Sequence, residues 1–179
     1  MTRYLALLRA VNVGKAQVSM PELRKLFEAL GHEDVRTHLR TGNVIFTAAG
    51  RPRPARLAAE LEKRVAEDLG VPSTILIRTT DELAKVVAGN PFADSTRDEA
   101  KLHVTFLADK PAADRIARLD PLPAGGEEFS VADRQVYLHC PNGYGRTKLN
   151  NANLERRLGV AGTTRTWRVV NALLDMMRN

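Results

Sequence analysis

The chain has 179 residues, of which 44% are hydrophobic and 27% charged, with a net charge of +6. This suits one domain or two small halves sharing a core, and it excludes a disordered chain. A single cysteine, Cys140, excludes an intramolecular disulfide framework and a thiolate zinc cluster, and no apolar run approaches the roughly 18 residues of a membrane-spanning helix.

The first strand-like segment starts at Arg3, with no basic-then-apolar leader pattern before it, so a cytoplasmic location is expected. The charge is unevenly spread. Residues 1–50 hold 7 basic and 4 acidic side chains, residues 51–141 hold 13 and 15, and residues 142–179 hold 7 and 2. Basic excess at the two ends favours an anionic partner: nucleic acid, a nucleotide or an acidic protein surface. The plain alternative is a surface made basic for solubility.

In chain order, Arg3 to Arg9 is apolar on both faces, as expected of a central strand covered on both sides. Ser19 and Glu22 form a capping box for a helix that buries Met20, Leu23, Leu26, Phe27 and Leu30 and stops at Gly31. Val35 to Phe46 reads as a tight hairpin, with Thr41-Gly42-Asn43 at the turn and Gly42 supplying a positive φ. A second helix follows Pro54, presents Leu57, Leu61, Val65 and Leu69 to the core, and ends at Gly70. Thr74 to Arg78 completes a β-α-β-β-α-β order, the ferredoxin-like pattern. From Thr79 a second pass begins. Thr79-x-x-Glu82 caps a short helix, residues 94–101 form a polar linker that we expect to be mobile, and Leu102 to Leu107 alternates as a strand. A hairpin then turns at Asp133-Arg134, and helices cover about Lys148 to Leu158 and Thr166 to Met177. The predicted fold is thus α+β, two ferredoxin-like halves divided at 78/79, with an extra C-terminal helix and no residue-level repeat.

Three segments carry a family resemblance: L-L-R-A-V-N-V-G, R-T-H-L-R-T-G-N-V-I-F, and Y-G-R-T-K-L-N-N-A-N-L-E-R-R-L-G-V-A-G-T-T-R-T-W. Together they resemble the bacterial domain-of-unknown-function 1697 family, from Tyr4 to Leu174. The resemblance implies a compact α+β protein and implies no reaction. The sequence departs from the family pattern at Thr41, where Ser is more usual, and at Thr166 and Arg168, where Asn is more usual, so a role requiring an amide beside Trp167 is not expected.

The candidate ligand-binding residues are Arg9, Asn12, Asn43, Arg146, Lys148, Arg165 and Arg168. Arg9, Asn12 and Lys15 follow the end of a strand, where loops on a rigid frame often bind ligands. Asn12 has an equal reading as a backbone device. Val13-Gly14-Lys15 lacks the spacing of a phosphate-binding loop. Tyr144 to Lys148 and Gly162 to Thr166 each read as a glycine loop with cations before a helix, where unsatisfied N–H groups and the helix dipole favour an anion. Trp167 reads as packing or, alternatively, a stacking platform for a base. His103-x-Thr105 resembles half of a two-histidine phosphoesterase site, but no second motif fits, so His103 is assigned to a solvated face. Histidine spacing gives no metal site, and no cofactor is expected. The leading functional expectation is binding of nucleic acid or a nucleotide in a basic groove formed by the two ends. The alternatives are a small enzyme acting on a phosphorylated or carboxylated metabolite, and a protein-interaction module.

Overall fold

Five consecutive side chains, Tyr4 to Leu8, are buried. They lie in β1 (Thr2–Leu8), an interior strand flanked by β3 (Asn43–Ala48) and β4 (Ile75–Thr79), with β2 (Glu33–Thr37) at the edge beyond β3. This is a computed structural model, and it describes residues 1–119 and 126–179. All strand pairs are antiparallel, and Leu5 stands opposite both Ile45 and Arg78. The order β2-β3-β1-β4 is that of a ferredoxin-like sheet. One face of β1, Tyr4, Ala6 and Leu8, packs with Leu23, Phe27, Leu57, Leu61 and Val65 from α1 (Met20–Ala29) and α2 (Pro54–Leu69). The two helices form as their caps dictate. Ser19 Oγ accepts from Glu22 N–H, and Gly70 ends α2 at φ 67°.

The described residues divide into two units, Met1–Lys85 with Leu173–Asn179, and Val86–Ala172. The change of unit falls inside α3 (Thr80–Ala88). Thr79 and Glu82 form the expected capping box in both directions, Glu82 Oε2 accepting from Thr79 N–H at 2.8 Å and Thr79 Oγ1 from Glu82 N–H at 3.2 Å.

The second unit contains β5 (Leu102–Leu107), α4 (Ala113–Ala117), β6 (Glu128–Ala132), β7 (Gln135–His139), α5 (Asn151–Leu158) and β8 (Gly162–Thr166). Its sheet order, β6-β7-β5-β8, repeats that of the first. Here the structure corrects the sequence reading, because Gly162 to Thr166 is a strand and not a glycine loop. It pairs with β5 from Leu107↔Gly162 to His103↔Thr166. The second half is therefore a complete β-α-β-β-α-β unit. Its terminal helix, α6 (Trp167–Arg178), follows β8 as α3 follows β4.

With β8 in place a residue-level repeat emerges. Arg78 stands opposite Leu5 in one sheet and Arg165 opposite Val104 in the other. Both arginines are buried, 2% and 6% exposed. Each precedes a threonine whose Oγ1 accepts an N–H of the next helix, Thr79 from Glu82 and Thr166 from Val169, both at 3.2 Å.

Residues 94–101 are held rather than loose. Arg97 Nε and Nη2 donate to the two oxygens of Glu128 at 2.9 Å each, and Nη1 donates to Asp94 at 2.7 Å. The guanidinium also lies 5.1 Å from the Phe92 ring centre. Asp98 opens a short 3-10 turn at Glu99–Lys101 by accepting from Ala100 N–H.

Candidate functional site

In the first unit the loop after β1 is stapled to the hairpin turn. Asn12, at φ 56°, accepts from Val18 N–H at 2.8 Å and donates from Nδ2 to the Arg40 carbonyl at 2.6 Å. Asn43 is fully buried, and its Nδ2 donates to the His38 carbonyl and to Thr41 Oγ1. Both asparagines thus serve the backbone of the loops. Gly42, at φ 85°, lies so close to β1 that an added Cβ would sit 2.7 Å from Val11 Cγ2 and 2.8 Å from Leu8 Cβ. Arg9 is half-buried at the rim of an open cleft of about 550 Å³, with Glu62, Lys63, Ser73 and Thr74 among its walls.

In the second unit the expected anion cradle at the start of α5 is occupied by the chain itself. Asn151 N–H donates to Tyr144 Oη at 2.8 Å, Asn153 N–H to Asn150 Oδ1 at 3.0 Å, and Leu149 N–H to Thr147 Oγ1 at 2.9 Å. Arg165 is buried in β8, donates to Thr163 Oγ1 and to the Thr164 carbonyl, and has its pKa lowered by burial to about 10. Trp167 is also buried. Arg146, Lys148 and Arg168 are exposed.

His103 relates these exposed cations to one another. It is 8% exposed, against the expectation of a solvated face, because β5 is an interior strand with all six side chains buried. Its ring stacks on Tyr144 with centres 4.8 Å apart, and it stands opposite Thr166 across β5 and β8. Arg146 lies two residues beyond Tyr144, and Arg168 two beyond Thr166. Among the described residues, His103 Nδ1 meets no hydrogen-bonding group. Burial lowers the pKa of the ring against a smaller opposing effect of the Lys101 backbone. Behind this pair runs a polar chain: Asn151 Nδ2 donates to Glu155, Thr164 Oγ1 bonds Asn151 Oδ1, and the Thr105 and Thr164 hydroxyls meet at 2.7 Å. Cys140 is buried nearby on β7's trailing edge, donating its N–H to the Lys101 carbonyl, and burial raises its thiol pKa, which makes a nucleophilic role unfavourable.

Among the described residues no three His, Cys, Asp or Glu side chains cluster as a metal site. No described helix is long and apolar enough to cross a membrane. The residues that sequence reading missed are His103, hidden by the assumption of a one-faced strand, and the exposed Val13, Leu39 and Arg40. The latter group carried a signal in the paired family-like motifs, which place two loops of basic and apolar residues side by side.

These features define an α+β protein of two ferredoxin-like units, each with a buried arginine followed by a helix-capping threonine at the end of its last strand. The chain belongs to the DUF1697 family, described as a protein of unknown function, whose model matches residues 1–137. The match ends before Arg146. Over 100% of this chain and 99% of the other, the fold is similar to that of the conserved bacterial protein SP0830 from Streptococcus pneumoniae, with a TM-score of 0.80 and 25% sequence identity. No functionally curated protein matches the chain.

Proposed function

We propose that the protein binds an anionic, phosphate-bearing ligand, nucleic acid or a nucleotide, through the exposed cations Arg146, Lys148 and Arg168 of the second unit. The observation that carries this reading is the way two basic segments meet at His103, one through the Tyr144 stack and the other through the Thr166 strand pairing. The charge balance supports it. Glu155 is the single acid between residues 142 and 168, and it is engaged by Asn151. Arg168 sits in the first turn of α6, which has no acidic residue, and a cation there is unfavourable against the helix dipole unless an anion offsets it. Arg165 and the start of α5 contribute support to the loops rather than ligand contacts.

The test is fluorescence anisotropy with labelled single- and double-stranded oligonucleotides and a labelled nucleotide, comparing the wild type with an Arg146→Ala, Arg168→Ala variant. Both positions are exposed, so the variant should keep its circular dichroism spectrum. The reading expects binding weakened by about tenfold or more, since the variant removes two charge-assisted hydrogen-bonding groups. Equal binding by both proteins, or no binding by either, contradicts it.

A further inference from the structure

Two loops of the first unit hold a different kind of surface. Val13 is 67% exposed and Leu39 54% exposed, two of the three large hydrophobic side chains left in solvent among the described residues. They flank the staple between Asn12 and Arg40, which is reinforced by Arg40 Nη2 donating to Gln17 Oε1 at 3.3 Å. Leu39 also adopts φ 60°, and Ala10 and Asn12 φ 56° each. A left-handed backbone is unfavourable for a branched apolar residue, and leaving it in water is unfavourable again. The chain nevertheless fixes Leu39 there, through Asn43's two donations within the turn and the close seating of Gly42 on Leu8 and Val11. Strain and exposure held by surrounding packing are features of a binding surface. A cleft of about 390 Å³ opens in the same unit, lined by Met20, Pro21, Arg24, Lys25, Glu28 and by Thr37, which lies two residues before Leu39.

We propose that these loops and this cleft dock an acidic segment of a partner protein that carries an apolar anchor side chain. Charge selects the sign of the partner. No acidic residue occurs before Glu22, while Lys15, Lys25 and Arg40 are exposed, and Glu28 is already paired with Arg24 at 2.9 Å. A second copy would set like charges against one another. Single-stranded nucleic acid favours aromatic platforms, whereas Val13 and Leu39 are aliphatic. Two aliphatic side chains give too little apolar area to hold a membrane surface. An apolar anchor in a pocket, ringed by complementary charge, is the usual arrangement of a small protein interface.

The test uses a display library of short random peptides, panned on the intact wild-type protein, with enriched sequences resynthesised and measured by fluorescence polarisation. The proposal expects enriched peptides to combine Asp or Glu with a large apolar residue. Binding should weaken about tenfold or more in Leu39→Asn and in Val13→Ser. Leu39→Asn supplies its own folding control, because Asn tolerates the left-handed backbone and should raise the melting temperature while binding is lost. The proposal is overturned if no peptide is enriched, if enriched peptides lack acidic residues, or if Leu39→Asn binds them undiminished. It is equally overturned if Leu39→Asn instead abolishes binding to labelled single-stranded RNA or to phosphatidylserine vesicles. Because Arg146 and Arg168 are untouched in these variants, this outcome is independent of nucleic-acid binding by the second unit.

Discussion

Asn12 Nδ2 donates to the Arg40 carbonyl at 2.6 Å while Asn12 Oδ1 accepts from Val18 N–H at 2.8 Å, so one side chain joins three points of the first unit. Removing it leaves a half-buried N–H without a partner, at roughly 1–3 kcal/mol. Asn12→Ala also puts a less tolerant residue at φ 56°, adding about 1 kcal/mol. Urea unfolding should therefore show Asn12→Ala less stable than wild type by about 2–4 kcal/mol, with Asn12→Gly falling between them. Equal stability of the Ala and Gly variants would contradict the backbone part of this effect.

Gly42 is constrained twice, by φ 85° and by the approach to Val11 and Leu8. From the turn alone, Gly42→Val is expected to cost about 1–2 kcal/mol. The contacts at 2.7 and 2.8 Å add overpacking of roughly 1–3 kcal/mol. Gly42→Ala already meets both, so thermal melts should show both variants strongly destabilised. A loss under about 1 kcal/mol in Gly42→Ala would contradict the close packing.

His103 gives stability a pH dependence whose sign follows from its environment. Burial holds its folded pKa below the usual 6.5, so the unfolded chain takes up the proton first as pH falls. The stability is complete above 6.5 and is lost as pH drops from there toward the lowered folded value. His32, shifted the same way by burial, acts in the same window. His103→Phe keeps the ring stacked on Tyr144 and removes the titration. Its unfolding free energy should fall less than that of wild type between neutral and mildly acid pH, and identical slopes would contradict the assignment.

Arg97 holds the Glu128 carboxyl at about 2, chiefly by direct hydrogen bonding, with His139 assisting. Arg97→Ala should bring the Glu128 titration, followed by carboxyl NMR shifts, up toward its ordinary 4.5. In wild type this contribution to stability is present above 4.5 and lost as pH falls toward 2. A Glu128 pKa unchanged by the substitution would mean that another group holds it.

Much of the fold was legible because its signals are local. The stripe of Leu57, Leu61 and Val65, the Gly70 stop and the Thr79-Glu82 box depend on neighbours within a turn or two, and each is found where the sequence places it. β8 was hidden because its buried residues include Thr163 and Arg165, so burial and hydropathy disagree. The polar stretch around Arg97 read as loose because its partner, Glu128, lies 31 residues away. The candidate site was half legible for a related reason. An asparagine in a loop has the same sequence signature whether it binds a ligand or caps a backbone, and for Asn12 and Asn43 only the three-dimensional partners decide.

The central functional claim is that Arg146, Lys148 and Arg168 contact phosphates, and the slope of log affinity against log salt counts such contacts directly. Removing two phosphate-binding cations together, Arg146→Ala with Arg168→Ala, should reduce the magnitude of the slope by about 1.4 with a single-stranded oligonucleotide and by about 1.8 with a duplex. A slope unchanged from wild type, with both proteins folded, would contradict a phosphate-binding role for these residues.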